Sequence, residues 1–348
     1  MVKKGYEVAS LFSENNNISI KKFTDPNYRK IPMKCLINSH RDLILPFRKL
    51  EFNLRVLFEV RKIVSDDTII HINGDNGGFA TFLRKGVKVY NAYGASSLVK
   101  FKTANKHKNL LKQLYQFFHS SPSIVLEHLG YKYSNSIIAD NEPLFNLIKR
   151  FKGKKNSLDL IYDSINLGEF KPPNNQVDKS LKRTELGLSS DKIYAIWVST
   201  SKEKGQQEAI DSLENTHNTI LLLVGASSKK DNKCVKNLGY VDKHRLVSLF
   251  QASDYFILPT KKRAIDLSTI EALASGLPVL LYKQAYSFLL DENNAFLVDS
   301  YTQLKRTVEE IDKNPEILRS KKYPVDIIKM FSPQNAVEKY LEVFERRL

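Results

Sequence analysis

The apolar residues in the second half of the chain occur as short runs at regular intervals, each followed by a polar loop. Residues 192–198, 218–224, 235–241, 254–259 and 279–282 are runs of this kind. Their length and composition are typical of strands buried on both faces. Helical patterns separate most of them, so strand and helix alternate about every ~25 residues. The pattern predicts a parallel, doubly wound α/β sheet.

The first half of the chain shows a less regular version of the same alternation. Residues 6–12, 68–72 and 87–93 are predicted strands, and residues 47–64 have apolar positions at helical spacing. A glycine-rich loop follows residues 68–72, where open α/β sheets bind ligands, although such a loop is equally typical of an ordinary turn. The candidate cleft residues at the ends of these strands are Asn73, Gly74, Asp75, Gly77, Gly78, Tyr93 and Gly94.

The composition favours a soluble protein with two domains. The chain has 348 residues, 42% hydrophobic and 26% charged, which is ordinary for globular proteins. Pro172–Asn175 reads as a linker, so we expect an N-terminal domain of residues 1–173 and a C-terminal domain of residues 174–331, followed by an amphipathic helix of residues 332–348. With no apolar run near the ~20 residues of a membrane span and no secretion signal, the cytoplasm is the expected location.

Positive charge is concentrated in the first half. Residues 1–173 hold 28 Lys and Arg against 15 Asp and Glu, a balance of +13, whereas residues 174–348 hold 26 against 23, a balance of +3. This asymmetry favours an anionic partner, such as an acidic acceptor or a membrane surface. Residues 98–119 alternate lysines with aromatic and aliphatic residues, which suits peripheral attachment at the inner membrane face. The alternative is a packed helix with a solvated lysine face.

Several kinds of site are not indicated. Cys35 and Cys234 lie far apart without a CxxC partner, so free thiols are expected. The histidines lack ligand spacing, and no P-loop or H-E-x-x-H pattern occurs. We therefore expect neither a metal site nor a bound cofactor.

The stretch Asp266–Tyr282 combines a helix and a buried strand. Ser268 and Glu271 have the spacing of a capping box, in which Ser268 would begin the helix. Gly276 is expected to end the helix, and Pro278 precedes the strand. A helix that begins at a ligand cleft offers unpaired N–H groups and a partial positive charge to a phosphate.

The sequence LSTIEALASGLPVL within this stretch resembles the donor-site signature of the retaining GT-B glycosyltransferases of family four. The resemblance is specific over about residues 190–300 and weaker before that. It implies two Rossmann-like domains facing each other across a cleft, with the last helix crossing back to the N-terminal domain. The first strand and helix of the family's N-terminal domain are missing from this sequence or replaced by residues 6–12.

The resemblance also implies roles for individual residues. Glu271 would bind the ribose hydroxyls of the donor, and Lys204 would neutralise its diphosphate. Leu267, Ser268 and Thr269 would donate backbone N–H groups to the same phosphates. Backbone groups of Tyr240 and Val241 would pair with the base. No catalytic side chain is implied.

The sequence departs from the family pattern at four positions. Ser199 stands where a phosphate-binding Arg is usual, and Arg263 replaces the first Glu of the E-x7-E pattern. Asp266 replaces a Gly, and Tyr93 replaces a His. One hypothesis is that Arg263 holds the phosphates in place of the missing Arg. The candidate phosphate ligands are therefore Lys204, Leu267, Ser268, Thr269, Arg263 and Ser199.

The leading interpretation is a retaining, metal-independent transfer of a hexose from a nucleotide-diphosphate sugar, of the UDP or GDP type, to a glycan, lipid-linked or protein acceptor. The rival is a weak or inactive GT-B module that binds a nucleotide-sugar or an anionic glycan, which the changes at Ser199 and Arg263 favour. A nucleic-acid partner is suggested by charge alone and is not expected.

Overall fold

The computed structural model describes residues 8–13, 28–33, 45–74, 77–92, 110–226, 233–262 and 265–347. They divide into two compact units. The first lies within Met1–Tyr162 and Val337–Leu348, and the second is within Asp163–Ala336. These limits lie near the positions 173 and 331 expected from the sequence.

The first unit contains two parallel sheets. Strands β1 (Val8–Ser13) and β2 (Tyr28–Met33) pair with each other. Strands β3 (Ile69–Asn73), β4 (Val87–Ala92), β5 (Ser136–Ala139) and β6 (Ser157–Leu160) form a four-stranded sheet in that order. Its helices are α1 (Leu45–Ile63), α2 (Leu110–Tyr133) and α3 (Glu142–Ile148). The predicted strands at 68–72 and 87–93 and the helix at 47–64 are confirmed.

The second unit contains a six-stranded parallel sheet. Its strands are β7 (Ile193–Ser199), β8 (Thr219–Gly225), β9 (Val235–Gly239), β10 (Tyr255–Leu258), β11 (Val279–Tyr282) and β12 (Phe296–Val298). The main helices are α4 (Gln176–Glu185), α5 (Gln206–Asp211), α6 (Lys243–Ala252), α7 (Leu267–Ala274), α8 (Lys283–Tyr286), α9 (Tyr301–Lys313) and α10 (Val325–Met330). The last helix, α11 (Pro333–Glu345), begins in the second unit and belongs to the first unit from Val337 onward. The predicted alternation of strand and helix is confirmed.

The strand order of the second unit creates one distinctive place in its sheet. The order is β12-β11-β10-β7-β8-β9, so the chain builds outward from β7 in one direction and then returns to place β10 on the other side of β7. Tyr255 of β10 is accordingly in register with Ala195 of β7. Ligands of open α/β sheets bind outside the carboxyl ends of strands at such a switch point.

The last residues of α11 pack against the first unit, as predicted. The rings of Tyr340 and Phe344 lie 5.5 Å and 5.8 Å from the ring of His71 on β3. The side-chain amide of Asn91 on β4 donates a 2.7 Å hydrogen bond to the Tyr340 hydroxyl, and Arg346 pairs with Asp159 at 2.6 Å. The helix is therefore held by both ring packing and polar contacts.

Among the described helices, none is long and apolar enough to cross a membrane.

Candidate functional site

The candidate site is formed by the loops that leave the carboxyl ends of β7 and β10. The loop after β7 carries Lys204, and the loop after β10 leads into α7, which carries Glu271. Because β7 and β10 are neighbours, two segments more than 60 residues apart in sequence meet at the switch point, where the Lys204 amine pairs with the Asp266 carboxylate. The fold thus brings together the two segments that the sequence resemblance singled out.

Helix α7 begins two residues earlier than the predicted N-cap Ser268 implies. Leu267 is its first residue and Asp266 its N-cap, so the predicted capping box of Ser268 and Glu271 is wrong. The Asp266 side chain does not cap the helix. The N–H of Thr269 donates to the Asp266 carbonyl at 2.9 Å. The first N–H groups of a helix have no acceptor within the helix, so of the three predicted phosphate donors those of Leu267 and Ser268 are the two suited to an anion.

The end of α7 follows the prediction and explains why this helix stops where it does. Gly276 has φ +82°, its N–H donates to the Leu273 carbonyl at 2.9 Å, and the N–H of Leu277 donates to the Ala272 carbonyl at 3.0 Å. These two bonds are those of a Schellman motif. The motif leads directly into β11, so the position of α7 is fixed relative to the sheet at its C-terminal end.

Glu271 is a half-buried carboxylate without a hydrogen-bond donor among the described residues. Burial raises its pKa to about 7, and the positive charge of Lys243 opposes this rise. Lys243 is itself paired with Glu169 at 2.5 Å. With the capping role excluded, nothing local explains a carboxylate at this place. A polar group buried without a partner costs free energy, and such groups are concentrated at binding sites.

Lys204 is not isolated in its loop, because its amine is bound by the Asp266 carboxylate. The other oxygen of Asp266 accepts a 3.0 Å hydrogen bond from the hydroxyl of Tyr286. Tyr286 is fully buried on α8 and lies 3.0 Å from the Thr269 hydroxyl. The start of α7 therefore holds a fixed carboxylate beside the predicted phosphate-binding lysine.

The loop between β7 and α5 packs closely against the residues that follow β10. Gly205 has φ +77°, and a Cβ at this position would lie 2.2 Å from the Pro259 carbonyl oxygen. Lys262 pairs with Glu203 of this loop at 2.8 Å, and Lys261 pairs with Glu208 of α5 at 2.9 Å, so ion pairs also join the segment after β10 to this region. Only glycine allows the backbone before Gln206 to approach this closely.

The remaining candidate residues of the second unit differ in burial and in hydrogen bonding. The Ser199 hydroxyl accepts a 3.0 Å hydrogen bond from the N–H of Ser201, so it closes a local turn. The Tyr240 side chain is 88% exposed just after β9, and Val241 is half-buried. Both follow a carboxyl end of the sheet, where a base could pair with their backbone. Arg263 lies outside the described residues.

The glycine-rich loop of the first unit has structural contacts of its own. Gly77 has φ +96°, and its N–H donates a 2.7 Å hydrogen bond to the buried side chain of Asn53. Gly78 begins a short 3-10 turn that ends at Phe82, while the Gly74 N–H donates to the Asn91 carbonyl at 2.8 Å. Asn73 is exposed at the end of β3. Asp75, Tyr93 and Gly94 lie outside the described residues.

Sequence reasoning missed three residues that shape these loops. Asp266 was noted only as a departure from a usual glycine, and Tyr286 was not singled out because its contact with Asp266 spans 20 residues. Asn53 was hidden in the helical pattern of α1. A polar residue on the buried face of an amphipathic helix is the one signal that could have indicated Asn53.

The arrangement can bind an elongated anion with hydroxyl groups at one end. Lys204 and the first N–H groups of α7 offer positive charge, and Glu271 lies five residues after Asp266, about 7.5 Å along the helix at ~1.5 Å per residue. A ribose 5′-diphosphate placed along this line would meet cationic groups at its phosphates and an acceptor at its hydroxyls. The described residues contain no cluster of His, Cys, Asp and Glu that could hold a metal ion.

Comparisons with known proteins find similarity to glycosyltransferases. Residues 193–314 match the family model of Glycosyl transferases group 1. Alpha-monoglucosyldiacylglycerol synthase of Acholeplasma laidlawii is 22% identical over 316 residues, which are 84% of this chain and 77% of that protein.

Solved structures share the whole fold at low sequence identity. Sucrose-phosphate synthase from Thermosynechococcus elongatus matches with a TM-score of 0.78 and 16% identity, over 99% of this chain and 90% of that one. HepE from Anabaena, in complex with UDP-glucose, matches with a TM-score of 0.67 and 17% identity, over 91% and 86% of the two chains. The chain therefore has the GT-B fold, and its residues 193–314 are similar to those of a glycosyltransferase family.

Proposed function

We propose that the protein transfers a hexose from a nucleotide-diphosphate sugar with retention and without a metal ion. The observation that carries this proposal is the half-buried Glu271 carboxylate, which has no donor among the described residues and lies about one helical turn beyond the start of α7, where the Lys204 amine is bound. A carboxylate can accept hydrogen bonds from two vicinal hydroxyls. The nearby lysine would stabilise charge that develops on the leaving diphosphate as the bond to the sugar breaks.

The nucleotide is a diphosphate of the UDP or GDP type. HepE, which shares the fold, was solved with UDP-glucose, and this supports a UDP-sugar as the first donor to test. The site offers a cationic group at the phosphates, so a nucleoside without phosphates should bind much more weakly. No side-chain nucleophile is assigned.

The acceptor is proposed to be presented at an anionic membrane surface, to which the protein attaches from the cytoplasm. The first 173 residues carry the +13 balance counted above, and the similar Acholeplasma protein is named for a glycosylated diacylglycerol. Among the described residues, Phe58, Phe82 and Tyr133 of the first unit are 59%, 53% and 45% exposed. Lys132 lies over the Tyr133 ring at 5.1 Å, which is a pairing suited to a lipid headgroup layer. Of residues 98–119, to which the sequence assigned membrane attachment, 98–109 lie outside the described residues and 110–119 form the start of α2.

The enzymatic proposal is tested with the purified protein and a panel of UDP- and GDP-sugars. We expect one donor to release its nucleotide, with activity unchanged by EDTA and with the anomeric configuration of the product equal to that of the donor. Glu271→Ala should abolish nucleotide-dependent thermal stabilisation, whereas Glu310→Ala, at an exposed position on α9, should not. Inversion, or activity that requires a metal, would overturn the corresponding part of the proposal.

The membrane proposal is tested by sedimentation with vesicles. We expect binding to phosphatidylglycerol vesicles but not to phosphatidylcholine vesicles, and weaker binding for Phe82→Ser. Val177→Ser is a matched control because Val177 is 65% exposed in the second unit. Equal binding to both vesicle types would contradict the proposal.

A second candidate function is a nucleotide-binding module without turnover. It is favoured by the engagement of Lys204 with Asp266, which leaves less positive charge for a leaving diphosphate. Binding of UDP without nucleotide release or sugar transfer from any donor of the panel would select this candidate.

A further inference from the structure

The Asp266 carboxylate is in an unusual place for an N-cap residue. Asp commonly caps a helix by accepting a hydrogen bond from an N–H group of the first turn, but here the side chain makes no such bond. It turns instead to the Lys204 amine, and the Tyr286 hydroxyl holds its second oxygen at 3.0 Å. The carboxylate is therefore fixed away from its own helix and toward the neighbouring loop.

The surroundings hold Asp266 more firmly than they hold Lys204. The Asp266 side chain is 10% exposed, whereas that of Lys204 is 34% exposed. Tyr286 is buried, and burial raises its pKa well above the usual value, so its hydroxyl remains a hydrogen-bond donor. A flexible amine can exchange one anion for another, but the carboxylate has little freedom to leave.

The carboxylate provides the same chemistry as a phosphate oxygen would at this place. It is an anion at the start of a helix and beside a lysine, which is the arrangement expected to bind a diphosphate. A diphosphate that reaches Lys204 must therefore approach a negative charge that stays in position. Solvent and salt screen the repulsion between these two charges in part.

We propose that Asp266 competes with the diphosphate of the nucleotide for Lys204 and thereby limits the affinity of the site for nucleoside diphosphates. The inference rests on the proposed function, because it concerns the same donor site. A released nucleoside diphosphate carries more negative charge than the donor in which the sugar esterifies the last phosphate. Asp266 therefore weakens the binding of the product more than that of the donor, and so favours product release.

The test compares UDP with uridine by titration calorimetry on the full chain. Asp266→Asn keeps an acceptor for Tyr286 but removes the charge, and we expect it to bind UDP about tenfold more tightly than the wild type. Uridine has no phosphate, so its affinity should change less than twofold. Asp266→Ser, a neutral N-cap, should shift the UDP affinity in the same direction and serves if the Asn variant does not fold.

The matched control is Asp254→Asn. Asp254 also binds a lysine, Lys179, at 2.7 Å, and it is half-buried in the same unit but precedes the amino end of β10. This variant should lose stability and keep the wild-type affinity for UDP.

Two results are decisive against the inference. If folded Asp266 variants bind UDP no more tightly than the wild type while uridine binding is unchanged, Asp266 merely positions Lys204. If neither UDP nor uridine binds to the wild type or to any variant, the proposed function is wrong and the inference falls with it.

Discussion

The pH dependence of nucleoside binding should report directly on Glu271. Burial raises the pKa of this carboxyl to about 7, so in the unliganded protein it is mostly protonated at pH 6 and mostly ionised at pH 8. If ribose hydroxyls donate to the carboxylate, the complex requires the ionised form. About one site in eleven is ionised at pH 6 and about ten in eleven at pH 8, so uridine should bind about tenfold more weakly at pH 6.

Uridine is the appropriate ligand because a phosphate would titrate in the same range. Calorimetric titrations of the wild type at pH 6, 7 and 8 give the profile, and Glu271→Gln supplies the control because an amide does not titrate. The variant should bind uridine with an affinity that does not depend on pH. A flat wild-type profile, or the same slope in both proteins, would show that Glu271 does not meet the ribose.

The further predictions concern stability. Gly205→Ala should cost at least about 2 kcal/mol and impair UDP binding, because its Cβ would meet the Pro259 carbonyl oxygen at 2.2 Å. Gly187→Ala, at φ +64° with open space around it, should cost only about 1 kcal/mol in urea unfolding. His71 has its pKa lowered to about 4 by burial, so its contribution is present above pH 6.5 and lost as the pH falls toward 4. Between pH 7 and pH 5 the wild type should therefore lose about 2 kcal/mol relative to His71→Phe in urea unfolding, whereas the raised pKa of Glu271 adds stability over the same range in both proteins. Tyr340→Phe should cost about 1 kcal/mol in the same assay through its lost hydrogen bond, and no change would mean that this bond does not help to hold α11.

The sheet of the second unit could be predicted because its strands are apolar runs in a regular rhythm. VLLY and IYAIWV have too few polar positions for an exposed element, and they became β11 and the core of β7. The end of α7 was equally predictable, since Gly276 before Pro278 leaves little alternative. In these cases a local pattern and the global fold demand the same structure.

The details of the candidate site could not be predicted in the same way, since they depend on contacts between distant segments. Ser268 and Glu271 have the spacing of a capping box, yet the helix begins at Leu267. The interaction that replaces the capping box is the ion pair of Asp266 with Lys204 together with the hydrogen bond from Tyr286 to Asp266. The three residues come from three different segments of the chain. A single sequence shows each of these residues but not that they are in contact in the folded protein.

The placement of α11 determines the order in which the chain can finish folding. The Tyr340 hydroxyl meets the Asn91 side chain across 249 positions, and Val337–Leu348 completes the first unit. During synthesis, His71 and the strands around it therefore remain uncovered until α11 has been synthesised. All residues of the second unit have been synthesised before that moment, although they follow most of the first unit in the sequence. Exposed strands invite aggregation, so shortening α11 should reduce the yield of folded protein more than its few contacts suggest.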